Sequence, residues 1–91
     1  MFIGYEQIAV STSVLDVDDL TIPSGTSHAE LQAGTNHVAY TMDGTAPTSS
    51  TGMLLLTTEP PRLFLIEDVL RMKFIQRTGG GTLNIHYIGA A

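Results

Sequence analysis

The sequence predicts an all-β fold, and three observations support that prediction. Apolar and polar residues alternate with a period of two along several segments, such as residues 28–33, which is typical of strands with one buried face. Residues that favour turns separate these segments, and no long stretch has the apolar spacing of an amphipathic helix. Threonine, a β-branched residue suited to half-exposed strands, occurs 12 times.

These patterns predict about seven strands in a single small β-sandwich, immunoglobulin-like or jelly-roll-like. The strands are expected near residues 5–10, 13–17, 28–33, 37–42, 53–57, 62–67 with 70–77, and 82–88. Glu67-Asp68 is expected to form a turn or bulge, because the segment around it is too long for one flat strand. Gly34-Thr35-Asn36 is a hairpin candidate, and Gly79-Gly80-Gly81 is expected to join the last two strands.

The predicted core follows from the apolar side of each alternating segment. It consists of Val38, Tyr40, Leu54, Leu65, Leu70, Met72, Phe74, Leu83, Ile85 and Tyr87. One domain is expected over residues 1–91. Within it, residues 1–27 are expected to form either edge strands or an arm on a neighbouring subunit.

Charge and cysteine content narrow the function classes. The chain has no cysteine, which excludes disulfides, thiolate metal sites and cysteine nucleophiles. Its formal net charge is −5, and four basic residues are too few to neutralise many phosphates, so nucleic-acid binding is not expected. No apolar run is long enough for a membrane helix, and the N-terminus lacks the basic region of a secretory signal.

All four basic residues lie within residues 62–91, whereas residues 1–61 carry seven acidic residues and no lysine or arginine. This asymmetry could orient the molecule on a partner, or it could vanish where the strands intermix in space. The possible partner interface comprises these four cations and three apolar residues near the N-terminus. They are Phe2, Ile3, Tyr5, Arg62, Arg71, Lys73 and Arg77. Strand alternation would place Arg71, Lys73 and Arg77 on one outward face.

No arrangement in the sequence predicts catalysis or cofactor binding. His28, His37 and His86 lack the spacing of a metal site. The cluster Asp16, Asp18 and Asp19 lacks the glycine and the later glutamate of a calcium loop, so a solvated turn is expected there. No nucleophile motif is present. We therefore expect no enzyme, no metal, no cofactor and no small-molecule substrate.

The sharpest local motif is Tyr40-Thr41-Met42-Asp43-Gly44-Thr45-Ala46-Pro47-Thr48. Asp43 is expected to accept backbone N–H bonds, Gly44 to supply an unusual φ, and Pro47 to fix the loop. The hydroxyls of Thr45 and Thr48 are expected to satisfy backbone groups at its base. The motif therefore predicts a structural turn.

This turn resembles the Tyr-Thr-x-Asp-Gly-Thr-x-Pro-Thr turn of the immunoglobulin-like module at the C-termini of chitobiases. A resemblance to small phage and prophage proteins covers about residues 30–89, through residues 38–54, 70–75 and 83–88. That resemblance implies a virion structural protein, a head-decoration or cement protein on the surface of the major capsid protein lattice. It implies synthesis in the host cytoplasm, localisation on the capsid surface, and a homotrimer or another homo-oligomer.

Two alternatives stay open. The chitobiase-like turn suggests a carbohydrate-binding module, although the chain has no tryptophan and only three tyrosines and three phenylalanines to form a sugar platform. The second alternative is a tail or connector component of the virion. Copy number per particle would distinguish it from a decoration protein.

Overall fold

A computed structural model, which describes residues 1–89, confirms the all-β prediction with seven strands in two antiparallel sheets. The last two residues of the predicted domain, 90 and 91, lie outside the described residues. The strands are β1 (Phe2–Val10), β2 (Thr26–Ala33), β3 (Val38–Thr41), β4 (Met53–Leu55), β5 (Arg62–Leu65), β6 (Lys73–Gln76) and β7 (Gly81–Gly89), with a one-turn helix, α1 (Ile66–Val69), between β5 and β6.

The larger sheet has four strands in the order β1-β7-β2-β5. Strand β7 is central: it pairs with β1 along one side, from Phe2↔Ile88 to Val10↔Gly81, and with β2 along the other. The first residues of the chain are therefore an edge strand. A register shift between Phe2 and Gly4 places a bulge near the start of β1.

The smaller sheet has three strands in the order β4-β3-β6. The predicted strand over residues 13–17 is wrong as a regular strand. Only Leu15 bridges to β6, through reciprocal backbone hydrogen bonds with Phe74 of 2.8 and 2.9 Å. The chain then enters a 3-10 turn, Val17–Asp19, because the Asp16 carboxylate accepts from the backbone N–H of Asp18 and caps it.

The turn or bulge expected at Glu67-Asp68 is a helical turn, but the strands predicted on either side of it, 62–67 and 70–77, are shorter than expected: β5 ends at Leu65 and β6 begins at Lys73. Residues 66–69 form α1, and the chain crosses there from the larger sheet to the smaller one. One helical turn rotates the side chains by about 100° per residue, so the two-residue alternation is lost. Val69 is consequently buried, whereas Leu65 and Leu70, both predicted core residues, are 52% and 51% exposed.

The hairpin predicted at Gly34-Thr35-Asn36 does not form. Strand β2 belongs to the larger sheet and β3 to the smaller one, so this turn carries the chain between sheets. Asn36 has a φ of 59°, and its side-chain amide donates to the Gly80 carbonyl oxygen at 2.6 Å. The glycine-rich turn at 79–81 likewise joins β6 to β7 across the two sheets.

A single apolar core lies between the sheets. Seven of the predicted core residues are buried in it: Val38, Tyr40, Met72, Phe74, Leu83, Ile85 and Tyr87. Leu54, also predicted, is only half-buried. Leu31 and Val10 are buried core residues outside the predicted set. The Tyr87 hydroxyl donates to the Glu6 carboxylate, and burial together with this bond raises the pKa of Tyr87.

Candidate functional site

Large side chains are exposed on the outward side of the four-stranded sheet. We call this side the open face; it consists of Phe2, Tyr5, Gln7, Ala9, His28, Glu30, Gln32, Leu63, Leu65, Asn84, His86 and Ile88. The register across β1, β7, β2 and β5 aligns these residues in rows. The alternate residues of the same strands, among them Leu31, Leu83 and Ile85, point into the core and are fully buried.

An aromatic cluster lies at the β1 side of the open face. Phe2 and Tyr5 are 64% and 57% exposed. The His86 ring lies beside both, with ring centroids 5.1 Å from Phe2 and 5.0 Å from Tyr5. These distances are typical of tilted aromatic contacts. The two predicted interface residues therefore share one platform with a histidine of the neighbouring strand.

Polar side chains occupy the middle of the open face. The Tyr5 hydroxyl and the Gln7 amide both donate to the Asn84 side-chain oxygen, at 3.0 and 2.8 Å. A Glu30 carboxylate oxygen lies 3.8 Å from His86 Nδ1. A shallow depression of about 210 Å³ runs between Tyr5 and Glu30. The two hydrogen bonds on Asn84 connect β1 to β7 through side chains of the open face.

Two leucines complete the open face at its other edge. Leu63 and Leu65, in β5, are 60% and 52% exposed and pair with Glu30 and His28 in register. Phe64, between them, points to the core, where its ring packs edge-on against Tyr40 with centroids 5.9 Å apart. The open face thus carries large apolar residues on both flanks and a polar strip between them.

The turn motif lies on the smaller sheet, away from the open face. The Asp43 carboxylate accepts from both the backbone N–H and the hydroxyl of Thr45, at 3.0 and 2.6 Å. These bonds hold the pKa of Asp43 below its ordinary value, because they favour the ionised form. Gly44 has a φ of 88°, and the Thr41 hydroxyl donates to the Thr45 carbonyl oxygen. These contacts close the turn locally.

The loop beyond this turn folds back over the outward side of the three-stranded sheet. Pro47 is buried and lines a cleft with Ser49 and Ile75. The Arg77 guanidinium donates to the Ser49 carbonyl oxygen at 2.7 Å. Ile75, which points outward from this sheet and lines the cleft, is consequently only 8% exposed. Ala39, its partner in β3, is 0% exposed. We call this side the covered face.

Thr48 closes the covering loop with a second set of contacts. Its backbone N–H and carbonyl form a reciprocal pair with Thr51, at 3.2 and 3.3 Å. The two threonine hydroxyls lie 2.7 Å apart. These contacts with Thr51 close the loop at Thr48.

Arg62 is engaged within the molecule. Its guanidinium donates to both carboxylate oxygens of Glu59, at 3.0 and 2.8 Å, and to the Tyr40 hydroxyl at 2.8 Å. The bond from Arg62 lowers the pKa of Glu59, and the same bond raises the pKa of Arg62. Arg62 thus links the loop before β5 to strand β3.

The remaining predicted interface residues do not gather at one place. Ile3 packs against the core. Arg71 follows α1 in a turn, whereas Lys73 lies in β6 opposite Thr41, so the outward row predicted for Arg71, Lys73 and Arg77 is not continuous. The reason is that the helical turn continues through residues 70–71 and β6 begins only at Lys73, so Arg71 lies outside the strand.

The three histidines are dispersed. His28 Nδ1 lies 3.0 Å from the Ser27 hydroxyl, and His37 Nδ1 accepts from the Thr57 backbone N–H at 3.1 Å. Over residues 1–89, no three His, Asp or Glu side chains come close enough together to hold a metal ion. Neither helix in this part of the chain is long and apolar enough to span a membrane.

The sequence prediction did not include several residues of the open face. Leu63 and Leu65 alternate with Phe64, but a strand that is apolar on both sides does not reveal which side faces the core. Glu30, Asn84 and His86 had a usable signal, because each occupies the polar side of a predicted strand. What the sequence could not give was the strand order β1-β7-β2-β5, which places them beside Tyr5.

Comparisons with known proteins found no match. No family model matches the chain, no curated protein matches it, and no solved structure matches it.

Proposed function

We propose that this chain is a structural protein of a phage particle, a capsid decoration protein that binds the outer surface of the major capsid protein lattice. The protein acts by stoichiometric binding and catalyses no reaction. The observation that supports a binding role is the open face, with two exposed aromatic residues at one edge and two exposed leucines at the other. The capsid assignment itself comes from the resemblance of residues 38–54, 70–75 and 83–88 to phage proteins.

The chemistry of the open face suits a protein partner. Exposed aromatic and leucine side chains on one regular surface gain free energy when a partner removes them from water. The polar strip between them, with Glu30 and His86 3.8 Å apart, supplies hydrogen-bonding groups that fix orientation. Tyr5 and Phe2 are the expected anchors, since aromatic residues dominate the binding energy of such interfaces.

Many weak contacts would stabilise a capsid collectively. A domain of 91 residues can cover only a modest area per copy. Binding of many copies over the lattice compensates for the modest area of each contact. Capsid subunits that are held by many copies must break these contacts together before they separate. The predicted homotrimer, or another homo-oligomer, would add to this effect by linking copies to one another.

The test of the virion assignment is copy number in purified particles, measured by quantitative mass spectrometry against the major capsid protein. A ratio near one supports decoration. A ratio of a few copies per hundred capsid subunits would instead assign the chain to the tail or connector. Absence from particles would overturn the virion assignment altogether.

A second experiment tests the open face itself, by adding the purified chain to capsids that lack it. Leu63→Asp places a charge at a position that is 60% exposed on the open face. Met53→Asp, at a position that is 59% exposed on the other sheet, is the matched control. We expect Leu63→Asp to abolish binding and Met53→Asp to retain it. Equal binding by both variants would contradict the assignment of the open face.

One observation favours carbohydrate binding as a second candidate function. Tyr5, which is exposed beside a depression flanked by Glu30 and Gln32, could stack on a sugar ring while the polar groups bind its hydroxyls. A glycan array followed by titration of Tyr5→Ala would test this. Specific glycan binding that Tyr5→Ala abolishes would favour carbohydrate binding. An array without any bound glycan would favour binding to a protein partner instead.

A further inference from the structure

Strand β1 is an open edge of the larger sheet. Within residues 1–89 it pairs on one side only, with β7. Beyond the bulge near its start, its register is regular from Gly4↔Tyr87 to Val10↔Gly81. The other side of a paired strand presents backbone N–H and C=O groups that a further strand can bind.

The other sheet edges are shorter or already occupied. Strand β5 has four residues and β4 has three. The free side of β6 accepts the segment around Leu15, because the Gln76 N–H donates to the Ser11 carbonyl oxygen and Leu15 pairs with Phe74. The longest regular edge that the described residues leave open is therefore that of β1.

The bulge of β1 is confined to its first residues, and beyond it the strand lacks the outward-facing charges and the proline that commonly prevent edge-to-edge pairing. It contains no lysine, arginine or proline. Its one charged residue is Glu6, whose carboxylate accepts from the Tyr87 hydroxyl and from the Thr21 backbone N–H at 2.8 Å. This carboxylate is thus directed into the molecule, and the outward residues of the strand are Tyr5, Gln7 and Ala9, all uncharged.

We infer that β1 pairs antiparallel with β1 of a second copy of this chain, which joins two four-stranded sheets into one sheet of eight strands. Antiparallel pairing of identical strands is self-complementary and closes as a twofold pair. With the axis at Gln7, that residue faces its own counterpart, Tyr5 faces Ala9, and Glu6 faces Ile8. An axis at Glu6 is disfavoured, because it would place two carboxylates opposite each other.

A second copy fits this edge better than a head-to-tail contact between different edges. Pairing of β1 with β5 of another copy would match a nine-residue strand to a four-residue one and would leave further edges open. In the twofold pair, by contrast, the open edges of β1 in both copies are paired with each other. It also brings the Tyr5 and Phe2 platforms of two copies onto one continuous surface, so the open face is doubled.

The test uses the purified chain alone, so its outcome is independent of capsid binding. Sedimentation equilibrium from about 1 μM to about 1 mM gives the dimer dissociation constant. Gln7→Lys would place two lysines opposite each other at the axis. Gln32→Lys is the matched control, since Gln32 lies on the same face but in β2, which has neighbours on both sides. We expect Gln7→Lys to raise the dissociation constant about tenfold or more and Gln32→Lys to leave it unchanged.

Hydrogen exchange of the wild-type chain provides a second measurement that needs no variant. Alternate amides of residues 4–10 face β7 and are protected in the monomer, whereas the intervening ones gain protection only in the pair. Concentration-dependent protection of those intervening amides supports the inference. A monomer at about 1 mM, a dimer that Gln7→Lys does not weaken, or protection gained elsewhere would overturn it.

Discussion

The two outward faces of the molecule differ in what lies over them. On the smaller sheet, the loop after the Asp43 turn folds back, and Ile75 is only 8% exposed. On the larger sheet, Leu63 and Leu65 are more than half exposed, although both are large and apolar. A sheet face of similar apolar character is therefore covered by the chain itself in one case and left uncovered in the other.

This difference separates residues that stabilise the fold from residues available for binding. Burial of Ile75 contributes to the free energy of folding through apolar area removed from water. Leu63 contributes little to folding, because it stays in contact with water. Its apolar surface can contribute to the binding of a partner, which is the basis of the proposed function.

Truncation of one apolar side chain on each face tests this difference in packing directly. Ile75→Ala should lower the free energy of unfolding by about 2–5 kcal/mol, because it removes buried methyl groups. Leu63→Ala should change it by no more than about 0.5 kcal/mol. Urea denaturation of both variants measures the two values. Equal losses would mean that the covered face is not tightly packed.

The covering loop depends on the backbone at Gly52. This residue has a φ of 120°, and a Cβ there would lie 3.0 Å from the Tyr40 carbonyl oxygen. Gly52→Ala should therefore cost about 3 kcal/mol of stability. Gly44→Ala is the control, because Gly44 has a φ of 88° but nothing lies within 4 Å of the added Cβ. This substitution should lower the free energy of unfolding by only about 1 kcal/mol. Thermal unfolding of the two variants measures both losses of stability. A larger loss for Gly44→Ala than for Gly52→Ala would contradict the packing of the loop.

On the larger sheet, the bond between Tyr87 and Glu6 anchors the edge strand β1. Tyr87→Phe removes this bond and should cost about 1.5 kcal/mol at neutral pH. Because the folded-state pKa of Tyr87 is raised above its ordinary value of 10.0, this contribution is full below pH 10. It declines as pH rises further, since the unfolded tyrosine ionises first.

The stability difference between wild type and Tyr87→Phe should therefore narrow above pH 10. Denaturation at neutral and alkaline pH provides the measurement. A widening difference would show that the hydroxyl is not held in its protonated form. Tyr5→Phe, at an exposed tyrosine of the same sheet, is the control for general alkaline effects.

The smallest expected effect concerns the Asp43 turn. The folded-state pKa of Asp43 lies below its ordinary value of 3.8. The ionised Asp43 therefore contributes fully to the free energy of unfolding above pH 3.8, and this contribution is lost as pH falls through the folded-state pKa. Asp43→Asn should reduce the loss of stability on acidification without changing the fold. Glu59, whose pKa is also lowered, retains the remaining acid dependence. An acid dependence identical to that of the wild type would contradict the Asp43–Thr45 contact.

Local patterns predicted much of the fold. Alternation identified the strands around residues 28–33, 37–42 and 82–88, and turn chemistry identified the Asp43-Gly44 turn. The local patterns predicted the wrong structure where one pattern is compatible with two different structures. The alternation over residues 66–74 is equally compatible with a strand that continues and with one that is interrupted by a single helical turn. Glycine and asparagine at 34–36 suit a hairpin as well as a crossing between sheets.

Residue types and their local spacing were enough to predict that this chain is all-β, that Tyr87, Phe74 and Ile85 belong to its core, and that Asp43 closes a turn. These features depend on residue type and on spacing within a few residues. The three-dimensional structure was needed to show which side of Leu63-Phe64-Leu65 faces water, and that Tyr5, Glu30 and His86 meet on one face. The physical reason is that burial and strand order depend on contacts between residues far apart in the chain, such as Tyr5 and His86, which no local pattern encodes.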